Sequence, residues 1–229
     1  MAAVLNHLIG RLSDSESDRL LSACEPVELS LSTVLCERGD RTEWAWFPTG
    51  SFISLISLAD GHGGVEVGMV GCEGMLGAQL VLGVSTSPVR ALVQGSGHAW
   101  RVAALDLARL LKASAALRRI LNRYVYVLMS QQATSAACLR FHQVDRRLAR
   151  WLLMSQDRAG AASLQMTQEF LAYMLGVRRV GVTVAAGGLQ RAGLIDYHRG
   201  RLTVLDRAGL ELAACDCFAA DNATYASLL

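Results

Sequence analysis

The segment from Thr167 to Leu205 constrains this chain more than any other. Thr167-Gln-Glu-Phe-Leu-Ala-Tyr-Met-Leu-Gly176 opens on a residue suited to cap a helix, and Phe170, Leu171, Met174 and Leu175 recur at helical spacing. Gly176 supplies a tight turn, and a second helix is expected from about Arg178 to Gln190. Leu194-Ile195 and Leu202-Thr-Val-Leu205 then flank a polar tip, Asp196-Tyr-His-Arg-Gly-Arg201, as two short strands flank a turn. Helix, turn, helix and hairpin in this order place the second helix in a DNA major groove and the hairpin tip beside the phosphates.

Charge distribution agrees with that expectation. The 229 residues carry a net charge of only +2, yet residues 140–207 hold eleven arginines against Asp145, Asp157, Glu169, Asp196 and Asp206. Basic charge concentrated in one segment is what phosphate contact requires. A hydrophobic content of 52% with 18% charged residues supports a sizeable core and excludes extensive disorder. No apolar run reaches the roughly 18 residues of a membrane helix, and the N-terminus lacks the pattern of a secretory signal. A cytoplasmic protein without a membrane partner is expected, its six cysteines being thiols.

The remaining texture divides the chain. From Val27 to about Val102, short apolar runs alternate with turn residues, and eleven of the 21 glycines lie between Gly50 and Gly97, as in an antiparallel barrel or roll. From His98 to Ala159 there is neither glycine nor proline, so helix is expected nearly throughout, with a break near Phe141. Leu117, Leu121, Tyr124 and Leu128 form a seam, continued by Gln131, Ser135 and Cys138, that fits a helix packed on a partner helix; packing on the chain's own roll is the other reading. A further helix from Val144 to Gln156 is expected to bury Leu148, Trp151 and Leu152 and to show Arg146, Arg147 and Arg150 to solvent. The expected class is α+β: a roll over residues 1–110, a long dimerisation helix over 111–139 and a winged helix-turn-helix over 140–229.

A roll, a long helix and a winged helix-turn-helix in this order resemble the Crp/Fnr family of bacterial transcription regulators. The residues that carry the resemblance are Arg147-Leu-Ala-Arg-Trp-Leu-Leu153, Thr167 to Gly176, Leu189-Gln-Arg-Ala-Gly-Leu-Ile195 and Arg199-Gly-Arg-Leu-Thr-Val-Leu205; the N-terminal half matches by texture. The resemblance implies a cyclic-nucleotide-binding-like roll, a homodimer joined along the long helix, and binding of double-stranded DNA at a near-palindromic operator, with RNA polymerase as a further partner. It is a regulator that is implied, not an enzyme. No paired-carboxylate site, phosphate loop or nucleophile elbow is recognisable either.

Two departures from the family pattern shape the site. Where cyclic-nucleotide binders carry arginine and then a hydroxyl residue before Ala-x-Val, this chain has Val89 and Arg90 before Ala91-Leu-Val93. A cyclic phosphate needs that guanidinium in a closed fork, and an arginine moved by one residue along a strand faces the other side of the sheet. Cyclic AMP and cyclic GMP are therefore not the expected effectors; the cofactor is unknown, and Glu73 and Arg90 remain the effector candidates. In the recognition helix the family's glutamate and second arginine are replaced by Val180 and Val184, with Val182, Ala186 and Leu189 expected to face the core. The DNA-binding candidates are Thr167, Arg178, Arg179, Val180, Thr183, Val184, Arg191, Arg199 and Arg201; Tyr197 and His198 either touch DNA or decorate the hairpin.

Cys138 and His142, four apart on a helix, are one candidate metal pair, and Cys215 and Cys217 another; neither makes a four-ligand site on its own, and no metal is assigned. His7, His62 and His98 are isolated and support no haem. The rival function is a dimeric sensor or interaction protein that has lost specific DNA binding, for which the outward valines and Gly181, Gly187 and Gly188 within the helix speak.

Overall fold

Alternating apolar residues between Cys24 and Ala103 form antiparallel strands because one face of each can be buried and the other solvated. The structure is a computed structural model that describes residues 6–59, 62–160 and 163–229, without the side chains of residues 59, 62 and 63. The His62 side chain and residues 1–5 thus lie outside the described residues. Two short helices, α1 (His7–Gly10) and α2 (Asp14–Ser22), precede the strands. The strands are β1 (Cys24–Leu29), β2 (Val34–Cys36), β3 (Trp44–Pro48), β4 (Phe52–Ala59), β5 (His62–Val70), β6 (Arg90–Gly95) and β7 (Gly97–Ala103). They form two sheets, β1-β7-β3 and β2-β6-β4-β5. Leu29, Ile53, Leu55, Val70, Leu76, Ala91, Val93 and Ala99 pack together as the apolar interior of this roll.

The stretch without glycine or proline is not helical from its start. His98 to Ala103 belong to β7, paired on both sides with β1 and β3. Two vacant sheet edges outweighed helix propensity there. Helix α3 (Ala104–Ala113) follows, and Ser114 restarts the chain by accepting the Leu117 N–H, which opens α4 (Ala115–Phe141).

The seam along α4 faces the chain's own core rather than a partner. Leu117, Leu121, Tyr124 and Val127 are buried with Phe47, Met75 and Val102 of the roll and with Leu229 at the C-terminus. The alternative reading, a helix lying on its own roll, is the one observed for this face. Gly74 shows how close the contact is, because a Cβ there would collide with the Tyr124 hydroxyl.

The C-terminal part comprises α5 (Val144–Ala159), β8 (Ser163–Gln165), α6 (Gln168–Leu175), α7 (Arg179–Arg191), β9 (Ile195–His198), β10 (Arg201–Val204), α8 (Arg207–Ala213) and α9 (Cys217–Leu228). Its sheet has the order β8-β10-β9, so the expected hairpin gains a third strand, β8. The C-terminal part does not hang free of the roll. Phe52, Ile56 and Met69 share a core with Leu152, Leu171, Met174 and Val182. Trp151 donates its indole N–H to Glu66 of β5 at 2.9 Å, and Arg158 pairs with Glu73 at 2.8 Å.

Arg147 and Arg150, expected in solvent, are buried at 8% exposure each. Helix α5 is covered on more than one side, so its polar face meets other elements instead of water. Arg147 donates to the Leu175 carbonyl, and Arg150 bridges Ser135 of α4 at 3.2 Å and Asp221 of α9 at 2.6 Å.

Candidate nucleic-acid interface

Thr167 begins the unit as expected, its hydroxyl accepting the Phe170 N–H at 3.1 Å. Helix α6 ends at Gly176, whose φ of +60° is the left-handed conformation that an L side chain disfavours. The axes of α6 and α7 meet at 106°, within the range of helix-turn-helix units. Val182, Ala185, Ala186 and Leu189 anchor α7 in the core. That anchoring turns the opposite face outward: Arg178, Arg179, Thr183 and Arg191 are exposed, and Val180 and Val184 are each 66% exposed.

Local bonds refine this surface. No side chain caps the start of α7, so the peptide N–H groups of its first turn beside Arg178 and Arg179 lack a side-chain partner. The Thr183 hydroxyl lies 2.7 Å from Gln168 Oε1, to which it donates. Thr183 is thereby held in one orientation, and Gln168 joins the same surface. Sequence reading missed Gln168, although its place directly after the capping Thr167 was the available signal. At Gly187 a Cβ would lie 3.3 Å from Arg191 Nη1, so the missing side chain makes room for that guanidinium.

The hairpin is tighter than expected. His198 pairs with Arg201, which leaves only Arg199 and Gly200 as the turn, both with positive φ (+48° and +78°). This is the turn geometry that suits the twist of two strands. Arg199 and Arg201 are exposed at this tip, and Arg201 Nε donates to Ser163 Oγ at 2.8 Å. Tyr197 is structural: its hydroxyl donates to the Met166 carbonyl at 3.0 Å and ties the hairpin to the residue preceding Thr167.

The effector candidates are not brought together. Glu73 is paired with Arg158 and accepts the Gly71 N–H, while Arg90 makes two 2.8 Å bonds to Glu37. Both charges are matched within the chain and share no partner. Val89, in the family's arginine position, packs on the apolar interior of the roll.

Residues 146–213 match the model of the Crp-like helix-turn-helix domain. No curated protein matches the chain. Among solved structures, a Crp/Fnr-family transcriptional regulator from Eubacterium rectale is similar at 19% identity, with a TM-score of 0.67 over 90% of this chain and 96% of that one. The c-di-GMP-responsive global regulator CLP of Xanthomonas campestris is similar at 17% identity, with a TM-score of 0.68 over 84% and 99%. FixK2 of Bradyrhizobium japonicum is similar at 12% identity, also with a TM-score of 0.68, over 84% and 98%. These likenesses establish the fold. The chain carries a Crp-like helix-turn-helix domain, and its fold is that of the Crp/Fnr transcription regulators.

Proposed function

We propose that this chain is a homodimeric, sequence-specific DNA-binding transcription regulator that does not respond to cyclic AMP. In this reading residues 1–110 are the sensor, 111–139 join the dimer and 140–229 bind DNA. One observation carries it: the outer side of α7 is bare, with Arg178 and Arg179 at its uncapped start and Arg191 at its other end. Arginine at the helix start reads guanine O6 and N7, and the valine and threonine methyl groups suit thymine. Arg199 and Arg201 add phosphate contacts from the hairpin.

The dimer contact is supported by a face of α4 other than the expected seam. Asn122, Tyr126, Met129, Ala133, Ala136 and Arg140 are exposed at alternating spacings of four and three, the repeat of a two-helix seam. Met129 is 62% and Tyr126 60% exposed, unusual for such side chains on a helix otherwise packed against its own chain, and Ala133 and Ala136 are small enough to let a second helix approach closely. A two-fold axis there would present two α7 helices to successive major grooves, about 34 Å apart on a near-palindromic site.

Against cyclic AMP stand Val89, packed against the interior of the roll, and Arg90, held by Glu37. The test is selection of bound duplexes from a random pool at low and moderate salt, with and without cyclic AMP. Enrichment of a near-palindromic sequence, unaffected by the nucleotide, is expected. No retention of any duplex at low salt would replace this reading with that of a dimeric sensor acting through protein contacts.

A further inference from the structure

Three cysteines and a histidine that are widely separated in the sequence meet at the junction of α4 and α9. Cys138 lies in the last turn of α4 and His142 ends that helix, while Cys215 and Cys217 span the turn into α9. Their ligand atoms all lie within 4.8 Å of one another. Cys138 Sγ and Cys215 Sγ are 3.5 Å apart, and Cys217 Sγ is 3.6 Å from His142 Nδ1.

We infer that Cys138, His142, Cys215 and Cys217 form a structural zinc site that fastens the end of the long helix to the C-terminal helix. Around a tetrahedral zinc ion, bonds of about 2.3 Å to sulfur and 2.0 Å to nitrogen place two sulfurs roughly 3.8 Å apart and a sulfur and nitrogen roughly 3.5 Å apart. The two measured separations fall close to those values. Three sulfurs and one imidazole form a complete soft-ligand shell that suits zinc and leaves no open position for water. Neither Cys138-x-x-x-His142 nor Cys215-x-Cys217 completes such a shell alone, which is why the site emerges only on folding.

The surroundings fit an ion with three thiolates. That assembly carries a net charge of −1, because three thiolates outweigh the divalent cation. The buried guanidiniums of Arg147 and Arg150 line one small cavity with Cys138, and that of Arg147, whose hydrogen bond goes to a neutral carbonyl, is free of a carboxylate partner among the described residues and can offset this charge. Arg150 also grips Ser135, one turn before Cys138, and Asp221, one turn after Cys217. The ion and the arginine therefore clamp the same two helices at adjacent turns. The clamp sits where α4 passes into α5, the position that sets how the helix-turn-helix is carried relative to the roll.

The test is purification of the full chain under reducing conditions from zinc-supplemented medium, followed by desalting through a weak chelator and elemental analysis. About one zinc per chain is expected, together with a higher melting temperature than the chelator-stripped protein shows. Cys217→Ala and His142→Ala, at two of the less buried ligands, should each lose the retained zinc. Replacement with Co2+ in the wild-type chain reads the shell independently of any variant. It should give the intense visible bands of a tetrahedral ion together with thiolate charge-transfer absorption. Absence of both zinc retention and a tetrahedral cobalt spectrum in the reduced wild-type chain would overturn the proposal. So would zinc retention at the wild-type level by both variants, or a Cys138–Cys215 disulfide that persists under reductant and blocks uptake. None of these readouts involves DNA, so the result is separable from the regulator reading.

Discussion

At the scale of single residues, the proposed interface would separate side chains that read bases from those that only hold the backbone. Arg179 stands at the first turn of α7 with no intrachain bond to its guanidinium among the described residues, whereas Arg201 sits on the hairpin beside Ser163. Arg179→Ala should cost about 1–3 kcal/mol at one base position of the selected site and little on random duplex. Arg201→Ala should weaken all duplexes alike and reduce the salt slope by about one. Fluorescence anisotropy titrations on specific and random DNA over a range of salt check both, and equal losses from Arg179→Ala on the two duplexes would remove its base-reading role. Arg199, a proposed phosphate contact, carries a backbone cost, since its φ of +48° is unfavourable for a side chain. Arg199→Gly should raise stability by up to about 1 kcal/mol in denaturant unfolding while lowering affinity for any duplex. A variant that binds as well as the parent would show that the guanidinium makes no phosphate contact.

At the scale of elements, the long helix shows how one periodicity can serve two surfaces. The apolar seam Leu117, Leu121 and Tyr124 is buried against the roll, so in the proposed dimer the association of two chains would fall to the stripe through Tyr126 and Met129. Met129→Glu places like charges near a two-fold axis and removes roughly 1.5–3 kcal/mol of apolar burial per chain. Sedimentation velocity should then show a shift from dimer toward monomer with the circular dichroism unchanged; an unaltered dimer would place the interface elsewhere. The inner side of the same helix is governed by fit. Gly74→Ala should destabilise by about 1–3 kcal/mol through overpacking against Tyr124. Tyr124→Phe, which deletes the clashing oxygen, should recover part of that loss in a double-mutant cycle. The winged helix-turn-helix was legible from its residues alone because cap, turn glycine and hairpin are local signals. The beginning of β7 was not, because its strand character comes from edges supplied by Cys24–Leu29 and Trp44–Pro48, far away in sequence.

At the scale of the whole molecule, roll and DNA-binding part are joined by polar contacts that the sequence did not announce. Glu66 of β5 accepts from Trp151 of α5 and from Ser54, and burial pushes its carboxyl up from 4.5 to about 7 despite those bonds and the charges of Arg158 and Arg150. A carboxyl raised in the folded state holds a proton there that the unfolded chain releases between those two pH values. Stability from this group is therefore present at low pH and declines as pH rises from about 5 to 7, by about 3 kcal/mol at most. Thermal melts at pH 5.5 and 7.5 should show that decline in the parent protein and a flatter profile in Glu66→Gln. Identical profiles would mean that Glu66 titrates near its ordinary value. Glu66 lies between the roll and α5, so in the proposed regulator its protonation would also act on the contact between the two.

The division between sequence and structure follows the range of the forces involved. Short-range signals are written in neighbouring residues. Thr167 as a cap, Gly176 at positive φ and the 3.6-residue spacing of Val182, Ala186 and Leu189 sufficed to place the recognition helix and its outer face. The clustering of arginine in residues 140–207 is read directly from the sequence. Long-range partners are decided only when the whole chain closes. The inner seam of α4, the burial of Arg147 and Arg150 and the separate pairing of Glu73 and Arg90 all depend on which distant element fills a given space. The meeting of Cys138 and His142 with Cys215 and Cys217 belongs to the same class, since packing alone brings side chains more than seventy positions apart within bonding range of one ion.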